Sequence, residues 1–203
     1  MAKQKRWLKK EKIMDIEKNK KNFIATAKKY IKRDGIDDLL ASLETGDFFT
    51  APASTRFHGA EDGGLCMHSM LVGKRLFEIA AVYDTEHKIS TESLAIVALF
   101  HDLCKIGCYS VEMRNAKNEQ GQWERVPYFK WDEQFHFGGH GDKSVFLVME
   151  HMKLSREEAA AINSHMGFAG VPNIGSISDV YDSNLLAWML HVADEAATYI
   201  DKY

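Results

Sequence analysis

The chain is predicted to form an all-α helical bundle carrying one small inserted β-hairpin. Only three prolines interrupt 203 residues, apolar residues recur at the helical period through most segments, and alternating runs are confined to positions 107–131. A hydrophobic share of 45% supports one well-packed core, and this length is short for two, so a single domain over 1–203 is expected.

The first 47 residues read as a helical extension, with helices at 8–32 and 35–45. Basic residues crowd the stretch from Lys3 to Lys21, but Glu11, Asp15 and Glu17 lie among them. The i,i+4 pairs these permit favour a solvated helix over a nucleic-acid-binding arm. The core then runs over 48–203, with helices at 64–83, 91–104, 142–152, 155–166 and 183–201. Thr91 and Ser183 are expected to cap the helices they begin, and Ser155 with Glu158 spells a capping box.

Between Gly107 and Trp131 the period changes to two. Tyr109, Val111 and Met113 alternate with polar residues, Asn118 to Gly121 supplies a turn, and Trp123, Val126, Tyr128, Phe129 and Trp131 follow. This predicts a hairpin, its aromatics packed as an underside rather than standing as a base-stacking wall.

The formal net charge of −3 gives no general attraction to nucleic acid or to an anionic membrane. No run approaches the ~20 apolar residues of a membrane span, and the early lysines precede no apolar signal core. Cys66, Cys104 and Cys108 are odd in number and lack zinc-site spacing, so they read as reduced thiols. A soluble cytoplasmic protein is expected.

The chemistry concentrates at His101-Asp102, which directly follows Leu99 and Phe100. An isolated carboxylate among apolar residues is costly to desolvate, and a divalent cation removes that cost. Imidazole with carboxylate makes a mixed N/O donor set suited to Zn, Fe, Mn or Ni. His68 precedes the pair, and His140, His165 and Asp194 follow, each in or beside a segment with helical pattern. Helix bundles assemble metal sites from such facing residues.

The order His68, His101-Asp102, Asp194 resembles the defining signature of the HD superfamily of metal-dependent phosphohydrolases. The resemblance runs from about Phe48 to the C-terminus. His140 and His165 look like the added ligands of its two-metal branch. The stretch Ala51 to His58, with Gly63-Gly64-Leu65 and His68, is similar to the HD domain of bacterial 3′–5′ exoribonucleases and to small stand-alone HD hydrolases of bacteria and phages. No Gly-Tyr-Pro motif follows Lys105, so cyclic dinucleotides are disfavoured, and Cys104 stands where relatives often have Gly.

The resemblance implies one or two divalent ions (Mn, Fe, Mg, Ni or Zn) held by His68, His101, Asp102, His140, His165 and Asp194. Asp102 and Lys105 would be catalytic, and Lys105, Arg56 and His58 would clamp a substrate phosphate. The implied activity is hydrolysis of a phosphoester in a nucleotide or other small phosphorylated substrate. A phosphodiesterase or 3′–5′ exonuclease on single-stranded nucleic acid is the alternative. A catalytically silent nucleotide-binding module is a third reading. His191, one turn before Asp194, is expected to hydrogen-bond within the site rather than ligate, and His136 is the substitute should His140 not take part.

Overall fold

A computed structural model describes residues 14–169 and 174–201. The predicted start of the first helix at 8, and the basic residues from Lys3 to Lys12, lie outside them. The order of elements is α1 (Ile16–Tyr30), α2 (Ile36–Thr45), α3 (Gly64–Tyr83), α4 (Thr91–Phe100), β1 (Tyr109–Lys117), β2 (Trp123–Trp131), α5 (His140–Met149), α6 (Arg156–Ser164), α7 (Ile174–Ser183) and α8 (Leu185–Tyr199). The fold is mostly helical with one antiparallel ribbon, in agreement with the predicted class.

Helix α4 is apolar on every side, and every residue from Leu94 to Phe100 is buried. A helix of that kind has no face for water and must sit inside. It packs against α1, α3, α6 and α8. Phe23 of α1 meets Phe48 at 4.9 Å and Phe100 at 6.1 Å between ring centroids. Ile31, Leu39 and Leu43 join the same core, so the stretch before residue 48 shares it.

One buried polar group ties this core together. Glu158 completes the predicted capping box, accepting from the Ser155 N–H at 2.8 Å while Ser155 Oγ accepts from the Glu158 N–H. The same carboxylate receives the Arg33 guanidinium in a fork at 2.5 and 2.9 Å and the Ser93 hydroxyl at 2.8 Å. It therefore links the end of α1, the start of α4 and the start of α6.

Four expectations are corrected. Ser90, not Thr91, caps α4, its Oγ accepting from the Ser93 N–H at 2.9 Å. Asn184, not Ser183, caps α8, because Ser183 ends α7. Helix α7 lies outside the predicted helices. Its Gly175, Ser176 and Ser178 are weak helix formers, and burial of Ile177 with partial burial of Val180 and Tyr181 against the core overrides propensity. Finally, α4 stops at Phe100 rather than 104. The His101 Nδ1–H donates to the Ala98 carbonyl at 2.9 Å, the acceptor that the Asp102 N–H would need to continue the helix. A short 3₁₀ turn, Leu103–Lys105, follows instead.

The ribbon pairs Tyr109 with Trp131 through to Lys117 with Trp123. Its turn is closed by the Gly121 N–H to the Asn118 carbonyl, with Gly121 at φ +79°. The expected packing of its aromatics holds only at the root, where Tyr109 touches Trp131 and Phe129 and donates its hydroxyl to the Ala53 carbonyl at 3.2 Å. Farther out, Val111, Met113 and Trp123 are 65, 47 and 70% exposed. Two strands alone offer no underside once they leave the body. Among the described residues no helix is long and apolar enough to cross a membrane.

Candidate metal centre

The break after α4 points both members of the His-Asp pair inward. His101 is the last residue to keep helical backbone, and Asp102 opens the 3₁₀ turn. His68 sits one turn into α3, His165 terminates α6, and Asp194 lies on α8. The start of α3 depends on the Gly63-Gly64 step. Gly63 holds φ +80°, and a Cβ on Gly64 would come within 2.1 Å of the Gly59 carbonyl oxygen. That close approach folds the loop carrying His58 against α3, where its ring lies 4.8 Å from that of His68.

The five residues converge. His68 Nε2 is 3.0 Å from Asp194 Oδ1 and 3.6 Å from Asp102 Oδ2. His101 Nε2 is 3.4 Å from Asp102 Oδ2, and His165 Nε2 is 3.5 Å from Asp102 Oδ1. Ligand atoms of His68, His101 and Asp102 all lie within 4.8 Å of one another, and so do those of His101, His165 and Asp194. Yet the Nε2 atoms of all three histidines are buried without a hydrogen-bond partner. They stand beside carboxylate oxygens without the alignment of a hydrogen bond, so a cation shared among them satisfies the set better than pairwise bonds do. Each of the two groups, two imidazole nitrogens with one carboxylate, fits a divalent transition ion.

Electrostatics agree with that fit. Burial opposes ionisation of Asp102, but Lys105 at 2.7 Å and His101 outweigh it and hold the carboxyl well below its usual range. Burial likewise opposes Asp194, and the His68 contact wins there too. Burial pushes His68 down, leaving it neutral and able to ligate. His101 is raised because Asp102 offsets its burial. Lys105 is held above its ordinary range, against its burial, chiefly by Asp102. The cluster thus sets two anions against the Lys105 ammonium and against His101, whose protonated form Asp102 favours and from which a metal ion would have to displace a proton.

No family model matches this chain, and comparison with curated proteins and with solved structures returns no match.

The remaining expected residues are distributed as follows. His58 lies against His68 with both ring nitrogens buried and unpartnered, and burial, then His68 and Lys105, bring its pKa down to about 4. Arg56 is exposed, its guanidinium 5.4 Å from the Phe57 ring centroid. His140 opens α5 on the exposed side, with Nδ1 at 3.3 Å from Cys104 Sγ and its ring 5.4 Å from Trp131. It is outside both ligand groups. His136 is exposed and faces Glu133 at 3.7 Å. His191 Nδ1 meets the His165 carbonyl at 2.8 Å, the hydrogen-bonding place expected of it. Burial pushes the Cys104 thiol up to about 12, which keeps it neutral rather than a ligating thiolate.

Sequence reasoning missed the supports. Tyr181 of α7 donates its hydroxyl to the Ser164 carbonyl at 3.1 Å and stacks on His191. Gly167, at φ +61°, leaves room for that imidazole, since a Cβ would fall 2.5 Å from His191 Cε1. Ser144 of α5 accepts the Cys104 N–H at 3.1 Å and so braces the 3₁₀ turn. None of these carries a motif of its own.

Proposed function

We propose that this chain is a metal-dependent phosphohydrolase of the HD type, cleaving a phosphoester bond of a nucleotide or related small phosphorylated substrate. The observation that carries the reading is the convergence of three partnerless imidazole Nε2 atoms on two buried carboxylates beside an ammonium group.

His68, His101, Asp102, His165 and Asp194 would hold the ion, with His140 at the rim available to a second. A divalent ion held there supplies Lewis-acid polarisation of a phosphoryl oxygen and acidification of water. The chain itself supplies the rest. Asp102 stays anionic down to low pH because Lys105 sits against it. Lys105, cationic at any physiological pH, offsets the charge that develops on phosphoryl oxygens. His58, neutral and unpartnered beside His68, is free to donate to or accept from a substrate oxygen. Arg56, on the same loop, offers a guanidinium for a phosphate not yet neutralised.

The test begins with protein purified without chelators and analysed by elemental mass spectrometry. A panel of nucleotides and chromogenic phosphomonoesters and diesters follows, with manganese, iron, nickel, zinc or magnesium supplied. Bound metal and metal-restorable hydrolysis support the proposal. Absence of bound metal defeats it, and metal without turnover across the panel points to a silent binding module.

A further inference from the structure

The ribbon carries exposed apolar surface that the packing leaves unexplained. Directly paired strand residues share a face, and successive residues alternate between faces. One face therefore carries Tyr109 with Trp131, Val111 with Phe129, Met113 with Pro127, Asn115 with Arg125, and Lys117 with Trp123. The strands' carboxylates, Glu112 and Glu124, fall on the opposite face, where Glu112 binds Lys130 at 2.7 Å and Tyr128 at 3.0 Å. The first face is thus aromatic and apolar, bears two cations and holds no acid.

Val111, Met113, Trp123 and Trp131 on this face are all open to water. So much exposed apolar surface on a thin ribbon marks a binding site. The root of the face reaches the rim of the candidate metal centre. Trp131 lies 5.4 Å from the His140 ring, and Tyr109 anchors to the Ala53 carbonyl in the loop that leads to His58. From Trp131 to Trp123 the strand extends about 26 Å.

We infer that this face is a track for single-stranded nucleic acid, delivering a phosphodiester to the His-Asp cluster. Rings spaced along a groove or ribbon stack on bases of any sequence, and interleaved cations meet the phosphates. Lys117 lies 5.2 Å from the Trp123 ring centroid at the tip, and Arg125 lies two residues from it on the same strand and face. Charge complementarity selects a polyanion, and a root at the rim of a cluster suited to phosphate selects nucleic acid over a membrane or a second copy. The inference puts the phosphodiesters of a single strand in place of the small phosphorylated substrate, and rests on the proposed metal-dependent phosphoester hydrolysis for its catalytic half.

The experiment separates the two halves. Binding of a labelled single-stranded oligonucleotide of about 12 nucleotides is followed by fluorescence anisotropy in chelator, so that no cleavage intervenes. Wild-type protein should bind with affinity that falls as salt rises. The double variant Trp123→Ala/Arg125→Ala should bind at least about tenfold more weakly, from the loss of one stacking ring and one phosphate contact. Tyr128→Ala, which removes a ring from the opposite face, should bind as wild type does. Circular dichroism checks that each variant is folded. Failure of wild type to bind, or equal binding by the double variant, overturns the track. So does binding to anionic phosphatidylserine vesicles in preference to the oligonucleotide, or a ribbon-dependent dimer by sedimentation. Hydrolysis of the same oligonucleotide and of small chromogenic phosphoesters by wild type with manganese is read separately. Its absence, with ribbon-dependent binding intact, removes the proposed hydrolase and leaves the track.

Discussion

His101 and His165 occupy equivalent places on two different helices. Each follows the last residue of its helix, α4 or α6, and each directs Nδ1 to the carbonyl three residues earlier, at 2.9 Å for Ala98 and 2.7 Å for Ile162. A carbonyl can only accept, so both rings carry their proton on Nδ1 and present Nε2 to the cluster. The two Nε2 atoms then flank Asp102, one beside each carboxylate oxygen. In this way a local device of helix termination also orients the two candidate ligands.

Asp102 is the residue that all three buried histidines approach. Asp102→Ala should remove bound metal and reduce phosphoester hydrolysis by about 10³-fold or more. Elemental analysis of the purified variant beside an activity assay checks both, and unchanged metal content with retained turnover would refute the site.

Histidines 165 and 140 should behave differently. His165→Ala removes a buried nitrogen at the centre of the cluster, whereas His140→Ala alters an exposed ring outside the two ligand groups. Metal per chain should therefore fall further in His165→Ala, with at least one ion retained by His140→Ala. Equal loss in both variants would move His140 into the centre.

Glu158 gives a pH prediction. Burial works against its charge, but Arg33, the Ser155 N–H and Ser93 prevail and lower its pKa in the folded protein. A carboxyl with depressed folded pKa adds stability above its unfolded value of about 4.3, and that stability is lost as pH falls through the folded value. Glu158→Gln should cost about 3 kcal/mol near neutral pH, since it leaves the Arg33 guanidinium without its partner. The deficit should narrow below about pH 4. Denaturant unfolding at both pH values measures it, and a pH-independent deficit would contradict the assignment.

Gly64→Ala tests the loop geometry. Its Cβ would overlap the Gly59 carbonyl, so the turn must open, at a cost of about 1–3 kcal/mol in stability. The same movement carries His58 away from His68, so hydrolysis should fall as well. A variant with wild-type melting temperature and rate would show that the close approach is dispensable.

Much of this protein is legible along the chain, because helical periodicity, the Ser155–Glu158 capping box and the Asn118–Gly121 turn act between near neighbours. Of the six residues the chain offered as metal ligands, His68, His101, Asp102, His165 and Asp194 fall into the buried ligand groups and His140 does not. What neighbours in sequence cannot express is the sum of long-range packing. Helix α7 exists because Ile177 and Tyr181 find partners on other elements, against the weak propensity of its glycine and serines. The early end of α4 follows from a histidine ring taking a backbone acceptor. His101, His165 and Asp102 become one cluster only because α3, α4, α6 and α8 pack around a shared core, and Val111, Met113 and Trp123 of the ribbon stay in water because nothing in that core reaches beyond its root. Sequence determined which chemistry is available; tertiary packing decided which of those groups meet, because burial energy is collected only where distant segments close upon each other.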